Sequence, residues 1–403
     1  MIIDFYTYYK TVENNFRTWK YSTGKITTLK TIPKDLSHFY LSGKYEATDE
    51  DLIRYGHDLL KANEELKTSK VITFDYIKPF ECQSGKTLKR SHTYNIESIF
   101  KMTSKGKYEK FEQISGDEAR WMNKCPNGGL IYTTSGVHQS YGYDFKNYYA
   151  SILASKKFYF PTRQGVESII SELPEKLKFG FYHVMITSND PNIKKLFSFS
   201  THHIYNSNSV LYALELKKSG KYEINIELVQ DGKPNAYLYE MKDMITGDKV
   251  FGKWYEMILK LKKEFPNNML TKMLSSSLWG HLSKSNIYHM SEDEAEGLSI
   301  GLTDKADYYI IDYTIQEDGT AYYTLLDNKN PFKYNLRLKP FITAHGRNMT
   351  ARIVSEHIED VLRVHTDGIC FNKPLTQSID NFVSEDKTTG LIEFTNINKY
   401  KKL

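Results

Sequence analysis

Two acids stand where a carboxylate can do chemistry. In "YGYDFKNYYASIL" (residues 141–153) a short β-run ends at Asp144 and the start of a helix follows; in "DVLRVHTDGICF" two strands meet at a tight turn with Asp367 at its tip. An acid at a strand-to-helix junction either faces solvent above a buried Tyr or holds a metal ion, and the first stretch alone leaves both open. As a pair, the two strand-end carboxylates can face one cleft of a single antiparallel sheet. Paired carboxylates bind two Mg2+ ions, which can activate a 3′-hydroxyl and steady a leaving pyrophosphate.

Between the acids lies "GKWYEMILKLKKEFPNNMLTKMLSSSLWGHL". Two helical patterns flank "FPNN", where Pro266 interrupts the first, which predicts an antiparallel helical hairpin. On its second helix Lys272, Ser276 and Trp279 recur at i, i+4 and i+7 and share one face. Lys272 can reach triphosphate oxygens, Trp279 offers a flat wall to a nucleobase, and Lys260 on the first helix can meet the same phosphates. Lys262 and Lys263 read instead as an ordinary solvated face. Ahead of Asp144, Pro126, Asn127, Gly128 and Gly129 make a turn that lets backbone approach a partner.

The elements that must position these residues are mixed. Residues 1–118 combine α and β, with one helix, "TDEDLIRYGHDLLKANEEL", capped by Thr48. Residues 165–250 alternate short β-runs such as "FGFYHVMI" and "YEINIELV" with turns. "DYYIIDYTIQEDGTAYYTLLD" predicts a β-hairpin turning at Asp318-Gly319, and "KPFITAHGRNMTARIVSEHIEDV" a long helix. A chain of 403 residues with this order supports two or three domains and a sizeable core. A net charge of +5 accompanies 31 Tyr and 21 Phe, many of them among lysines, and lysines with aromatic rings are what a nucleic-acid groove needs. No apolar run approaches the ~18 residues of a membrane span, and the N-terminus has an acid where a signal peptide has basic residues, so a soluble, cytoplasmic protein is expected. Cys82, Cys125 and Cys370 are too far apart for zinc-type pairs and read as buried, inert thiols.

In order along the chain, "DFKNYYASI" resembles motif A of family B DNA polymerases (D-x-x-S-L-Y-P-S), "KMLSSSLWG" resembles motif B (K-x-x-x-N-S-x-Y-G) and "HTDGI" resembles motif C (D-T-D-S). The "NGG" turn resembles the family's Y-x-G-G element, and "FITAHGRNMT" resembles the palm helix of the protein-primed phage subgroup. The resemblance implies an α+β fold: an antiparallel-sheet polymerase palm, a helical-hairpin fingers subdomain and a mixed α/β N-terminal region. It divides the chain into an N-terminal region with an exonuclease-domain remnant (1–118), a first palm half with an insertion at about 165–240 (119–250), fingers (251–283) and a second palm half with a β-hairpin insertion and no thumb (284–403). It implies that Asp144 and Asp367 are catalytic and hold two Mg2+ ions, with Mn2+ as a substitute and the Phe145 carbonyl assisting. Tyr149 then lies under the incoming sugar and blocks a 2′-hydroxyl. Lys260, Lys272, Ser276 and Trp279 bind nucleotide, and Gly128, Gly129, His365 and Thr366 contact DNA.

The sequence departs from the family at His365 for the first motif C acid, Ser276 for Asn, Trp279 for Tyr, Ala150 for Pro and Pro126 for Tyr. No exonuclease D-x-E occurs, the helix around Asp58 resembles only the last exonuclease motif, and "TTGLIEFTNINKYKKL" leads toward the family's thumb before the chain stops. The implied function is a DNA-directed DNA polymerase of viral or plasmid-type replication, split or truncated. Its partners would be primer-template DNA, dNTPs, a terminal protein and a companion polypeptide carrying exonuclease or thumb. The alternatives are a degenerate paralogue that binds DNA or a terminal protein without synthesis, and an unrelated metal-dependent nuclease.

Overall fold

The computed structural model describes residues 100–403 except 102, 265–268 and 304, together with five short strands within residues 6–89. The helix expected around Asp58 with its Thr48 cap, and Cys82, lie outside the described residues. The chain divides into two compact units, one of residues 1–107 with 250–281 and one of 108–249 with 282–403.

The first unit contains a three-stranded antiparallel sheet of Tyr6–Lys10, Arg17–Tyr21 and Ile26–Leu29 and a short pair, Tyr40–Leu41 with Leu88–Lys89. Its helices come from Gly247–Glu264 and Met269–Leu282, the two helical patterns read from the sequence. On the first of them Val250, Phe251, Trp254, Met257 and Ile258 are buried, a stripe at helical spacing that leaves Lys260 exposed. Phe100 stacks on Phe251 with ring centroids 5.2 Å apart.

The second unit is built on an antiparallel sheet whose long strand is Gly136–Phe145. On one side of it runs Gly368–Phe371, followed outward by Val361–His365 and Ile131–Thr133. The other side is shared by Gly390–Asn396 along residues 136–140 and Phe382–Ser384 along residues 143–145. Between those two neighbours the chain crosses Gly142. Glu385 N–H donates to Gly142 O at 2.8 Å, Gly142 N–H donates to Thr389 Oγ1 at 3.0 Å, and a Cβ on Gly142 would run into the Thr388 side chain. Only glycine leaves room for that crossing. The strand Lys399–Lys402 closes the sheet as its outer edge.

Further antiparallel arrangements belong to this unit. Gly180–Thr187 and Asn225–Leu228 are the expected strands, joined by Ile204–Asn206, Ala236–Leu238 and Val166–Ser168. The hairpin Tyr308–Ile315 with Ala321–Asp327 turns as predicted, with Gly319 at φ +84°. One correction concerns residues 165–250, where only strands and turns were expected: Ser207–Ser219 is a 13-residue helix. Its signals are short-range. The Asn206 side chain accepts from Ser209 N–H at 3.0 Å, Gly220 ends the helix at φ +67°, and Val210, Ala213 and Leu216 form the buried stripe.

The long helix is Lys339–Glu356. It packs against Ser207–Ser219, Tyr148–Leu153 and Gly116–Lys124. Immediately before it, fully buried Arg337 grips Glu118 through Nε to Oε1 at 2.6 Å and Nη2 to Oε2 at 2.8 Å, and its Nη1 donates to Glu112 O at 2.8 Å. Tyr239 Oη donates to the same carboxylate at 2.6 Å. Every strong donor and acceptor of the pair therefore has a partner, as burial of two charges requires. Cys125 and Cys370 are buried and free, and burial pushes both thiols up. Among the described residues no helix is long and apolar enough to cross a membrane. Arg337→Met, which strands the Glu118 charge, should cost about 3–5 kcal/mol in a urea melt, whereas Glu118→Leu with Arg337→Met should recover most of that loss.

Candidate functional site

Both acids sit at one end of the same sheet. Asp144, the penultimate residue of its strand, pairs in register with Gly368, so Asp367 lies one residue from that pairing, in the two-residue turn between Val361–His365 and Gly368–Phe371. Phe145 N–H donates to Asp367 O at 3.2 Å, which ties the acid-bearing strand end to the acid-bearing turn. A Cβ on Gly368 would come within 3.5 Å of Asp144 Oδ1, so the carboxylate lies over this glycine. Both acids are half-buried.

The turn is held from three directions. Thr366 has φ +64°, an uncommon conformation for a β-branched residue, and its N–H donates to Leu130 O at 2.9 Å. Its carbonyl accepts from Thr350 Oγ1 at 2.8 Å, and Thr350 Oγ1 lies 2.7 Å from Tyr148 Oη, which in turn meets Gly346 O at 2.5 Å. Two hydroxyls have two protons for these three contacts, so with Thr350 donating to Thr366, the Tyr148 proton is shared between Gly346 O and Thr350 Oγ1. This chain runs from the helix after Asp144, through the long helix, to the residue before Asp367. Gly346 is required for it, because a Cβ there would come within 3.0 Å of the Tyr148 ring.

A buried guanidinium supports the third side. Arg347 Nη1 donates to Pro126 O at 3.0 Å and Gly128 O at 2.6 Å, and Nη2 reaches Ser209 Oγ at 3.5 Å. Burial lowers its pKa to about 10, which leaves it charged at neutral pH. The Gly128-Gly129 turn is thereby fixed, and its glycines differ. A Cβ on Gly129 would collide with the Thr366 side chain, whereas one on Gly128 would meet nothing within 4 Å. Tyr149 lies edge-on to Tyr148, with ring centroids 5.0 Å apart. Burial pushes its hydroxyl up to about 12, Arg347 opposing and the Asp367 charge adding. It is a neutral donor at any ordinary pH.

No family model matches the chain, and no curated protein matches it. Among solved structures, Phi29 DNA polymerase complexed with single-stranded DNA superposes with a TM-score of 0.53 at 13% identity over 89% of this chain and 60% of that one. Phi29 DNA polymerase complexed with primer-template DNA and incoming nucleotide substrates gives 0.52 at 14% identity, over 93% of this chain and 64% of that one. The chain has the fold of a DNA polymerase. It spans less than two thirds of the length of those polymerases, and at such identity the likeness speaks to fold alone.

Within this polymerase fold, Asp144, Phe145, Tyr149, Gly128, Gly129, His365 and Thr366 belong to one unit, gathered around the sheet end. Lys260, Lys272, Ser276 and Trp279 belong to the helices of the other unit; Lys272, Ser276 and Trp279 share the single helix Met269–Leu282, on which Ser276 is exposed and Trp279 half-buried. His365 faces a separate partner: its Nε2 lies 3.2 Å from Asn398 Oδ1, while Arg363, two residues earlier on the strand, donates to Ile397 O at 2.7 and 3.0 Å. Tyr148, Arg347 and Thr350 were not singled out from the sequence. The one available signal was "HGR", a glycine beside a cation within a helix.

The donors at the sheet end suit a hard divalent cation. Among the described residues no three His, Cys, Asp or Glu side chains converge on one point, so a cation held here would have at most these two carboxylates and would need backbone, water or substrate oxygens to complete its shell. Gly129→Ala should shift Thr366 and cost about 1–3 kcal/mol by overpacking, while Gly128→Ala should leave stability unchanged. Tyr148→Phe, which removes the hydroxyl shared by Gly346 O and Thr350 Oγ1, should cost about 0.5–1.5 kcal/mol on the same urea melts.

Proposed function

We propose that this chain is a DNA-directed DNA polymerase, related to the protein-primed phage subgroup of family B, that acts in viral or plasmid-type replication in a host cytoplasm. The observation that carries the reading is the register that sets Asp144 beside the Asp367 turn at the end of an antiparallel sheet in a polymerase fold. Asp144, Asp367 and the Phe145 carbonyl would hold two Mg2+ ions, or Mn2+ in their place, which supply activation of the primer 3′-hydroxyl and charge neutralisation at the leaving pyrophosphate.

The chain's own residues do the positioning. Phe145 packs against Tyr148 at 5.2 Å and Phe382 at 4.7 Å, which fixes the backbone that presents its carbonyl. Tyr149, rigid against Tyr148 and neutral, forms the floor under the deoxyribose and excludes a 2′-hydroxyl by contact. Lys272 and Lys260 take the triphosphate, with Ser276 and Trp279 beside the base. Gly128, with open space where a side chain would lie, lets the template approach, Gly129 is occupied by Thr366, and Thr366 and His365 border the primer terminus. Primer-template DNA and dNTPs are the substrates, and a terminal protein and a companion polypeptide with exonuclease or thumb are partners in this reading. His365, where the family has an acid, favours one second reading: a paralogue that binds DNA without synthesis.

Nucleotide incorporation separates the two. Asp144→Asn and Asp367→Asn should each abolish primer extension while DNA binding by gel shift stays near wild type, because an amide cannot supply the charge that holds Mg2+. Extension by either variant within tenfold of wild type removes the two-metal assignment, and no extension by the unmodified chain favours the paralogue. Tyr149→Val should relax discrimination against ribonucleotides in paired incorporation assays. Lys272→Ala should lower incorporation efficiency ~10 to 100-fold, the loss of one charge-assisted contact.

A further inference from the structure

The long helix Lys339–Glu356 has two working faces. Gly346, Arg347 and Thr350 serve the acid-bearing turn; His345, Asn348, Met349 and Arg352, at i, i+3, i+4 and i+7, form a second stripe on the other side. Opposite that stripe stand Asn208, Leu211 and Glu215, at i, i+3 and i+7 of the helix Ser207–Ser219. Asn348 Nδ2 donates to Asn208 O at 2.9 Å and ties the two helices together. Between them lies a recess of about 220 Å3 whose apolar walls are Phe158, Phe179 and Met349.

The polar edge of this recess is cationic. Lys157 and Arg352 are both exposed, and both stand close enough to His345 to add to the effect of burial in holding that imidazole below its ordinary pKa. His345 is thereby a neutral group, edge-on to Phe158 at 6.0 Å. The single acid at the edge, Glu215, is taken by Arg352 at 2.9 Å, and Lys157 pairs with no acid among the described residues. An anion that enters meets Lys157 directly and competes with Glu215 for Arg352. The volume lies below the roughly 300–1,000 Å3 of sites that enclose drug-sized ligands, so the recess admits one ring system and leaves the anionic group on the rim.

We propose that this recess is a second ligand site, separate from the paired acids, for a small anion carrying one flat ring, of the class of a nucleoside monophosphate or an aromatic carboxylate. The ring lies against Phe158 and Phe179, the side-chain amides of Asn208 and Asn348 meet its polar edge, and the anion bridges Lys157 and Arg352. The site does not depend on the chain being an active polymerase.

The test is titration of the full chain with deoxyadenosine monophosphate in excess EDTA, followed by calorimetry, so that no divalent cation links nucleotide to the paired acids. Deoxyadenosine and inorganic phosphate are the half-ligand arms, and indole-3-carboxylate distinguishes carboxylate from phosphate. Saturable binding of the monophosphate should weaken on the order of tenfold in Lys157→Gln, as expected for one lost charge-assisted contact, and tighten in Glu215→Gln, which frees Arg352. Each half-ligand should bind more weakly than the monophosphate. Indole-3-carboxylate with the same variant dependence extends the class to carboxylates, and its failure beside a positive monophosphate narrows the class to phosphates. Both substitutions are at exposed positions, so a Glu215→Gln protein that gains no affinity overturns the proposal even if Lys157→Gln misfolds. No saturable monophosphate binding, or binding indifferent to both substitutions, overturns it as well.

Discussion

The register that sets Asp144 opposite Gly368 is the constraint on which the rest of this structure depends. A slip of one residue would send every side chain of the strand to the other face and separate the acids. Hydrophobic pattern alone specifies such a register weakly where the strand is half-buried on both faces, as Gly136–Phe145 is. Steric locks carry it instead. Gly142 admits Thr388 at one position only, and Gly129 receives Thr366 at the far side of the sheet. Each lock brings a glycine and a threonine together from distant parts of the chain: the first resists a shift of the strand past Thr388, and the second holds the turn that carries Asp367 against the Gly128-Gly129 turn.

Hydrogen bonds then convert a correct register into a fixed site. The Tyr148–Thr350–Thr366 chain is internal to the fold and sets the backbone on either side of the acids. Arg347 does the same for the Gly128-Gly129 turn. Buried charges of this kind contribute little net stability, because desolvation offsets most of the attraction. Their consequence is geometric: Arg347 and the Arg337–Glu118 pair can be satisfied in few arrangements, and both fix the same long helix, one from within it and one from its N-terminal approach. The helix is therefore held in rotation as well as position, which keeps its two faces distinct.

This explains what was legible in the sequence. The strand-end positions of Asp144 and Asp367 could be read because their signals are local, the alternation before them and the turn or helix after them. The helices of residues 247–282 and the hairpin at Asp318-Gly319 were legible for the same reason. Arg347 was not, since a cation in a helix is ordinarily a solvated one, and its partners are carbonyls some two hundred residues earlier in the chain. The Tyr148-Tyr149 pair shows the limit within two residues. The sequence offers two equivalent rings, and the fold divides them into a buried strut with relative exposure of 4% and a half-buried surface beside the acids. The helix Ser207–Ser219 was hidden differently: its cap and its terminal glycine were present, but the neighbouring β-runs outweighed a short apolar stripe.

His365 shows how the same frame accommodates a change in charge. An acid there would add a third negative charge to the turn that carries Asp367, and at partial burial like charges repel more strongly than in water. The imidazole removes that repulsion and instead meets Asn398 at 3.2 Å, while Arg363 on the same strand holds Ile397. Alternate residues of one strand point to one face, so both grips act on the turn between the last two strands. With imidazole at position 365, that residue acts at the edge of the sheet rather than in the field around the acids. The result is a hydrogen-bonded link, two residues from Asp367, between the strand before it and the hairpin formed by Gly390–Asn396 and Lys399–Lys402.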